Sequence, residues 1–332
     1  MKKILIVGLG SIGRRHTENF SKFFDSIDIV DINEDRIKQA ESEYKINKSY
    51  SDYNNALEKN PYDAVAITTP PHMHLPIAKS ASLSGAHLFI EKPIGMNIEG
   101  WNEINKICID KKLSAYVAYC HRHINFTKKL KEKIDNGLIG RPIHANMRWG
   151  SYLPDWHPWE DYKSFYMAKK EQGGGALLDE SHGIDLVRYV LGDVRQVFAI
   201  IDTISDLEIT SDDCAFITLR MKSNALVHIN FDLAARAPRV NFEIIGTKGT
   251  IIWDRIDCSL NYYTSENKQW QKDQFSSDDT LAMYPNQAKY FFDSIFGNKK
   301  KIIDISDALK TQLVIDTSFV SSQTGKLISI EK

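Results

Sequence analysis

Four side chains able to hold or move protons crowd into seven positions: Asp179, Glu180, His182 and Asp185 follow three consecutive glycines in "QGGGALLDESHGID", residues 172–185. An imidazole titrating near neutrality is suited to take a proton from a hydroxyl and return it. Asp179 or Asp185 could orient such a ring and stabilise its charged form. Zinc fits poorly, because it favours Cys and His donors and this stretch offers one imidazole and two carboxylates with no second histidine nearby; no metal is expected. Phosphate is disfavoured too: glycine amides before a helix start attract anions, but the carboxylates immediately inside repel them. A purely structural loop would account for Gly173 to Gly175 and leave His182 unexplained.

A second reactive side chain, Lys92, follows the apolar run "HLFI" in "HLFIEKPIG". Pro93 pushes it toward an extended backbone, which aims the ammonium into a crevice instead of along a helix surface. Hydride transfer from a secondary alcohol needs a base for the hydroxyl proton and a group that polarises the oxygen. His182 and Lys92 can fill those roles if they converge on one oxygen.

The elements that must position them begin at the N-terminus. Residues 4–7 are an apolar run fit for a strand buried on both faces, and "GLGSIG" follows at once. Residues 14–24 read as a helix and "SIDIVD" as a second strand ending at Asp31. Strand, glycine turn, helix, strand and acid together are the dinucleotide pattern. Gly8 permits the tight turn, Gly10 lets the backbone approach a pyrophosphate and Gly13 lets helix and strand pack closely, while the helix N-terminus supplies N–H groups; Ser11 and Ile12 of the turn are counted with the glycines as cofactor-binding residues. Asp31 would accept hydrogen bonds from the adenosine ribose and repel a 2'-phosphate, favouring NAD, while Arg36 keeps NADP within reach. Two more strands, 64–68 and 87–90, flank a helix at 75–84. Ligands collect at the carboxyl ends of parallel strands, so Thr69, Pro70, His74, Glu91 and Lys92 are placed to face the cofactor.

The pattern changes from Arg141. In "ALVHINFDL" Ala225, Val227, Ile229, Phe231 and Leu233 alternate with polar or outward positions, as in half-buried antiparallel sheet. "VRQVFAIID", "DDCAFITLRM" and "RVNFEIIGTKGTIIWD" add strands, with "GTKGT" a hairpin turn, and one helix at 176–191 faces them. The tail adds helices near 284–296 and 305–322. The expected fold is therefore α/β: an N-terminal Rossmann doubly wound parallel sheet over residues 1–121, plus a C-terminal α/β domain with a large open, mostly antiparallel sheet over 122–332. Between them, "YCHRHINF" and "WGSYLPDWHPWEDYKSFY" are crowded with rings and proline. Aromatic faces of this kind can stack on sugar C–H surfaces while polar edges bond hydroxyls, which marks Arg122, Asp155, Trp156, His157 and Trp159 as candidate substrate residues; the alternative reading is a plug at the domain interface.

Composition narrows the partners. The 332 residues carry 42 Lys plus Arg against 43 Asp plus Glu, so no net field steers the chain toward nucleic acid or an anionic membrane. A small molecule is the better partner. Cys108, Cys120, Cys214 and Cys258 are scattered without a C-x-x-C pair and read as reduced thiols, hence a cytoplasmic location. No targeting signal or membrane span is recognisable.

"GLGSIGRRH", "TTPPHMH", "EKPIG" and "GGGALLDESHGID", in this order and spacing, resemble the glucose-fructose oxidoreductase, inositol dehydrogenase and rhizopine catabolism (Gfo/Idh/MocA) family of NAD(P)-dependent oxidoreductases. The likeness covers essentially the whole chain. It implies a dehydrogenase or reductase acting on a CH–OH group of a sugar, polyol or sugar derivative, with nucleotide-linked sugars included. Lys92 would lie near the nicotinamide, His182 would be the acid/base and Asp179 would stand one helical turn before it. Many members space that aspartate four positions from the histidine; here the separation is three, which turns the carboxylate by about 100° around a helix and suits an orienting role. The resemblance also implies a homodimer or homotetramer. Glycosidases that use bound NAD for a transient oxidation belong to the same family, and a non-catalytic NAD-binding regulator is a third option.

Overall fold

The computed structural model describes residues 1–156, 158–297 and 304–330. The chain forms two compact units, Met1–Cys120 with Tyr284–Leu309, and His121–Met283 with Lys310–Lys332.

The first unit is built on six parallel strands, β1 (Lys3–Val7), β2 (Ser26–Val30), β3 (Lys48–Tyr50), β4 (Ala64–Ile67), β5 (His87–Ile90) and β6 (Ala115–Val117), in the order β3-β2-β1-β4-β5-β6. Ile4, Leu5, Ile6, Ala64, Val65, Ala66 and Ile67 are fully buried. Such unbroken apolar runs are what a sheet covered on both faces requires. Helices α1 (Ser11–Phe20), α2 (Glu34–Glu43), α3 (Tyr53–Lys59), α4 (His74–Leu83) and α5 (Trp101–Asp110) complete the crossovers. Helix α1 starts three residues before the expected 14, because the glycine turn feeds straight into it. The segment 284–309 clusters with this unit, apart from the rest of 122–332. Phe291 and Phe292 of the Met283–Phe296 helix bring their rings to 5.4 Å from Phe89 and Phe24. Edge-to-face packing of this kind adds to the area that the rings bury.

The second unit holds a nine-stranded sheet of β7 (Pro142–Gly150), β8 (Val194–Asp202), β9 (Cys214–Met221), β10 (Leu226–Asp232), β11 (Arg239–Gly246), β12 (Gly249–Asp254), β13 (Ser259–Thr264), β14 (Trp270–Gln274) and β15 (Ile328–Ser329). Its order is β14-β13-β12-β11-β7-β10-β9-β8-β15, antiparallel except where β7 runs parallel to β10. Val227, Ile229 and Phe231 are buried while Leu226 and His228 are exposed, the period of two read from the sequence. Helix α6 (Asn125–Asp135) packs beside the glycine-loop helix. That helix departs from expectation. The single element expected over 176–191 is two, α7 (Ala176–Asp179) and α8 (Ser181–Leu191), parted at Glu180, whose φ of −85° and ψ of 20° leave the helical region. Among the described residues no helix is long and apolar enough to cross a membrane.

Candidate active site

The dinucleotide end of the first unit lies where the strand order reverses, between the loops that follow β1 and β4. Gly8 has φ +97°, and a Cβ added at Gly13 would stand 2.0 Å from the Gly8 carbonyl oxygen, so helix and turn touch backbone to backbone. Helix α1 has Gly10 as its N-cap, with no side-chain cap, and its first N–H groups are therefore available to an anion. Thr68 Oγ1 donates to the carbonyl oxygens of Val7 and Gly8 and ties the two loops together. Thr69 Oγ1 is buried with no hydrogen-bond partner among the described residues. A close backbone turn, an uncapped helix start and an orphaned buried hydroxyl fit a pyrophosphate and its nucleoside. Asp31 accepts from Leu9 N at 2.6 Å and from Asn33 N at 2.8 Å, so one carboxylate sets the turn it was expected to serve. Arg36 Nη1 is 3.9 Å from Asp31 Oδ2 with its side chain largely exposed.

Two expected cofactor residues also tie neighbouring segments together. His74 is fully buried, with Nε2 2.8 Å from Thr69 O and Nδ1 3.0 Å from Pro93 O. Both nitrogens address backbone carbonyls, and His74 joins the turn after β4 to the turn after β5; burial holds its pKa below the usual imidazole value. Glu91 Oε1 lies 2.6 Å from His16 Nε2 of α1, and its other oxygen accepts from Lys92 N. It braces the glycine-loop helix against the turn that carries Lys92. Lys92 itself is half-buried and precedes a cis peptide bond to Pro93; Pro70 leads the 3-10 turn Pro71–Met73.

In the second unit the glycine run is a packing device. A Cβ at Gly175, where φ is +120°, would fall 2.2 Å from Asp212 Oδ1. That carboxylate accepts from Leu177 N at 2.9 Å, and Asp212 O accepts from Ala176 N, so Asp212 supplies the cap that α7 lacks. Burial pushes the Asp212 carboxyl up to about 6. Asp179 Oδ1 accepts from Tyr166 Oη at 2.6 Å. Asp185 receives Arg122 Nε at 2.8 Å and Arg122 Nη2 on its two oxygens, a buried fork, with Thr311 Oγ1 alongside. The expected substrate residue Arg122 is thus a buried ion-pair partner. His182 is 9% exposed. Its neighbour is a residue the spacing argument missed: His121 sets its ring 4.6 Å from that of His182, 61 positions later in the chain. The count of one imidazole that argued against zinc becomes two in space, while the carboxylates counted with it are engaged by Tyr166 and Arg122. Sequence offered one signal for His121, the "CHRH" cluster at the start of the second unit.

The aromatic stretch forms 3-10 turns, as its irregularity suggested. Trp156 Nε1 donates to Ser151 Oγ at 2.8 Å, Asp155 closes the turn Leu153–Asp155, and Trp159 is 75% exposed. His157 lies outside the described residues.

Comparison with known proteins accords with this geometry. The model of the oxidoreductase family with an NAD-binding Rossmann fold matches residues 2–119, and that of the GFO/IDH/MocA C-terminal domain matches residues 127–252. A myo-inositol 2-dehydrogenase of Thermotoga maritima is 30% identical over 272 residues, 80% of this chain and 78% of the relative. The chain belongs to the Gfo/Idh/MocA family. A solved levoglucosan dehydrogenase, in complex with NADH and levoglucosan, superposes on this member with a TM-score of 0.86 at 20% identity over 100% of both chains. A 2,7-anhydro-N-acetylneuraminate hydratase of Escherichia coli is 26% identical over 197 residues, 57% of this chain and 50% of the relative.

Proposed function

We propose that this Gfo/Idh/MocA member is an NAD-dependent dehydrogenase that moves a hydride between nicotinamide and a secondary hydroxyl, or the matching ketone, of a sugar, polyol or sugar derivative. The observation that carries it is the complete dinucleotide turn at the switch point of the parallel sheet, with the Thr69 hydroxyl unpartnered beside it. NAD would supply the hydride acceptor. Gly8, Gly10, Ser11, Ile12 and Gly13 hold the pyrophosphate, Asp31 the adenosine ribose, and Thr69 and Pro70 the nicotinamide side. His74 and Glu91 keep those loops in register. During oxidation the substrate C–H leaves as hydride, the O–H proton passes to His182, and the electron pair left on oxygen becomes the carbonyl π bond. Lys92 stabilises the negative charge growing on that oxygen. Asp179, fixed by Tyr166, orients the histidine helix. Asp155, Trp156, His157 and Trp159 supply stacking and hydroxyl contacts. The myo-inositol and levoglucosan relatives support the substrate class.

The test is a screen of myo-inositol, levoglucosan and nucleotide sugars for absorbance at the NADH band, with NAD and NADP in parallel. NADH should accumulate with at least one of them, and Lys92→Ala and His182→Ala should each abolish it. Turnover that survives both substitutions overturns the assignment. A second reading, in which NAD is reduced and reoxidised within one turnover, is favoured by the hydratase relative; it predicts a modified sugar with no net NADH.

The protein acts as a homo-oligomer in the cytoplasm. Phe198, Ile200, Phe216 and Leu226 are exposed on the large sheet, with Ile200 opposite Phe216 in register, which supports self-association. The four cysteines are scattered with no C-x-x-C pair, which supports a reducing compartment.

A further inference from the structure

Helix α8 carries ionisable side chains at every third position: His182, Asp185 and Arg188, which are 9%, 1% and 6% exposed. The last two are joined to other elements. Arg122, from the turn Cys120–His123, forks onto Asp185: its Nε donates to one carboxylate oxygen at 2.8 Å and its Nη2 to the other. The same guanidinium lies 5.2 Å from the ring centre of Tyr189, one helical turn further along α8. Thr311 Oγ1 accepts from Arg188 Nη1 at 2.7 Å and donates to Asp185 Oδ1 at 3.4 Å. Arg188 Nη2 and Lys310 Nζ both donate to Asp193 at 3.0 Å. These contacts tie successive turns of α8 to neighbouring segments, and the transfers of hydride and proton use none of them.

An ion pair this deep is a poor source of stability, since well-packed apolar residues of similar volume commonly hold a fold as well or better. What the fork adds is direction. Two parallel N–H···O bonds set both the separation and the plane of the paired groups, which apolar contact does not. Helix α8 has a use for that: at Gly183 an added Cβ would meet the Phe231 ring at 2.5 Å, so no side chain at this close seat on the sheet keys the helix against turning. We propose that Arg122 is a positioning residue for His182, its fork on Asp185 fixing the rotation of α8 and with it the point at which the imidazole meets the substrate hydroxyl. The proposal rests on the reading of His182 as the base. His182 stands one helical turn before Asp185, so a rotation of α8 by about 10°, at a side-chain radius of about 6 Å, carries the ring by roughly 1 Å. A misplacement of that size costs about 100-fold in rate.

Arg122→Lys keeps the charge and loses the fork, while Arg122→Met with Asp185→Leu removes both charges together. Two readouts are taken on the full-length protein. The first is the NMR signal of the His182 ring in protein carrying ring-labelled histidine, assigned through His182→Asn. Trp149 stacks 6.1 Å from that ring with 13° between planes, so the indole ring current reports its place without cofactor or substrate. The second is kcat and KM for the sugar found in the NAD screen. In folded Arg122→Lys the His182 signal should move, and kcat should fall about 100-fold with KM nearly unchanged. An unmoved signal, or a moved signal with unchanged kcat, overturns the proposal; so does a raised KM beside unchanged kcat, which makes Arg122 a substrate contact. Should Arg122→Lys fail to fold, the apolar pair decides on the same readouts. If that pair unfolds too, the fork serves the fold as a whole and the proposal is overturned. If no sugar is turned over, or His182→Asn retains turnover, the reading of His182 as base falls, and the ring signal alone then decides whether Arg122 positions His182.

Discussion

Gly175→Ala is expected to loosen the second unit by far more than a glycine-to-alanine change elsewhere. Two costs add. An L-residue forced to φ +120°, ψ 157° is strained by about 1–3 kcal/mol. Its Cβ would also stand 2.2 Å from Asp212 Oδ1, which drives that carboxylate off Leu177 N and forfeits a hydrogen bond to a charged group worth about 1.5–3 kcal/mol. The total is roughly 3–5 kcal/mol. Gly192→Ala is the control: φ is +88° and nothing lies within 4 Å of the new methyl, so only strain of about 1–3 kcal/mol applies. Urea unfolding followed by tryptophan fluorescence reads the correct unit, because Trp149, Trp156, Trp159, Trp253 and Trp270 are all in the second and Trp101 alone is in the first. Asp212→Ala removes the obstacle, so Gly175→Ala in that background should cost about 2 kcal/mol less than in the wild type. Additive losses, or a Gly175 variant as stable as the Gly192 variant, would refute the steric argument.

Two buried groups should shape the acid limb of stability in opposite senses. Burial, then Lys128 and Arg122, depress the His123 imidazole to about 3; the unfolded chain binds this proton below about 6.5 and the folded chain does not. Stability from His123 is therefore full above that pH and falls by roughly 3–5 kcal/mol as pH drops toward the folded value, and His123→Leu should flatten the slope in unfolding measured across pH. Asp212 is raised, so the folded chain keeps a proton that the unfolded chain releases; its contribution is present below the ordinary carboxylate pKa and is lost as pH rises to about 6. Asp212→Asn should remove that loss. Breaking the Arg122–Asp185 pair by Asp185→Ala should cost about 3–5 kcal/mol in the same assay, and Arg122→Met with Asp185→Leu should recover most of it; a double variant as unstable as the single one would show the ion pair to be more than a buried charge balance.

Local pattern carried much of this structure. Ile4 to Val7 with "GLGSIG" and Asp31 specified a strand, a tight turn and an acid through contacts a few residues apart, and the alternation around Val227 to Leu233 specified which face of β10 is buried. What pattern could not carry was set at long range. Nothing local breaks the helix at Glu180, where the chain must keep Asp179 at Tyr166 and still seat Gly183 on Phe231. Asp212 is 37 positions from Gly175, and the need for glycine there is legible only once the carboxylate that fills its space is known. His121 is invisible for the same reason, since helical spacing relates His182 to Asp179 and Asp185 but not to a turn on the far side of a strand. Glu91 and His74 stand at the expected strand ends, and their bracing partners, His16 and two backbone carbonyls, are 19 to 75 positions away or on the next turn, where spacing gives no sign of them.

The return of residues 284–309 to the first unit bears on how the chain is made. Phe20, Phe24 and Phe89 leave the ribosome early but meet Phe291 and Phe292 only after most of the polypeptide has been synthesised. The strands β7 to β14 emerge before that moment, and the second unit in turn waits for Lys310–Lys332, so neither unit has all its segments until the chain is nearly finished, and the usual N-terminal-first order of domain folding has little to act on. A gene fragment ending at Cys120 would present an uncovered aromatic face, and this Rossmann half is not a cassette that can be cut out and moved by itself.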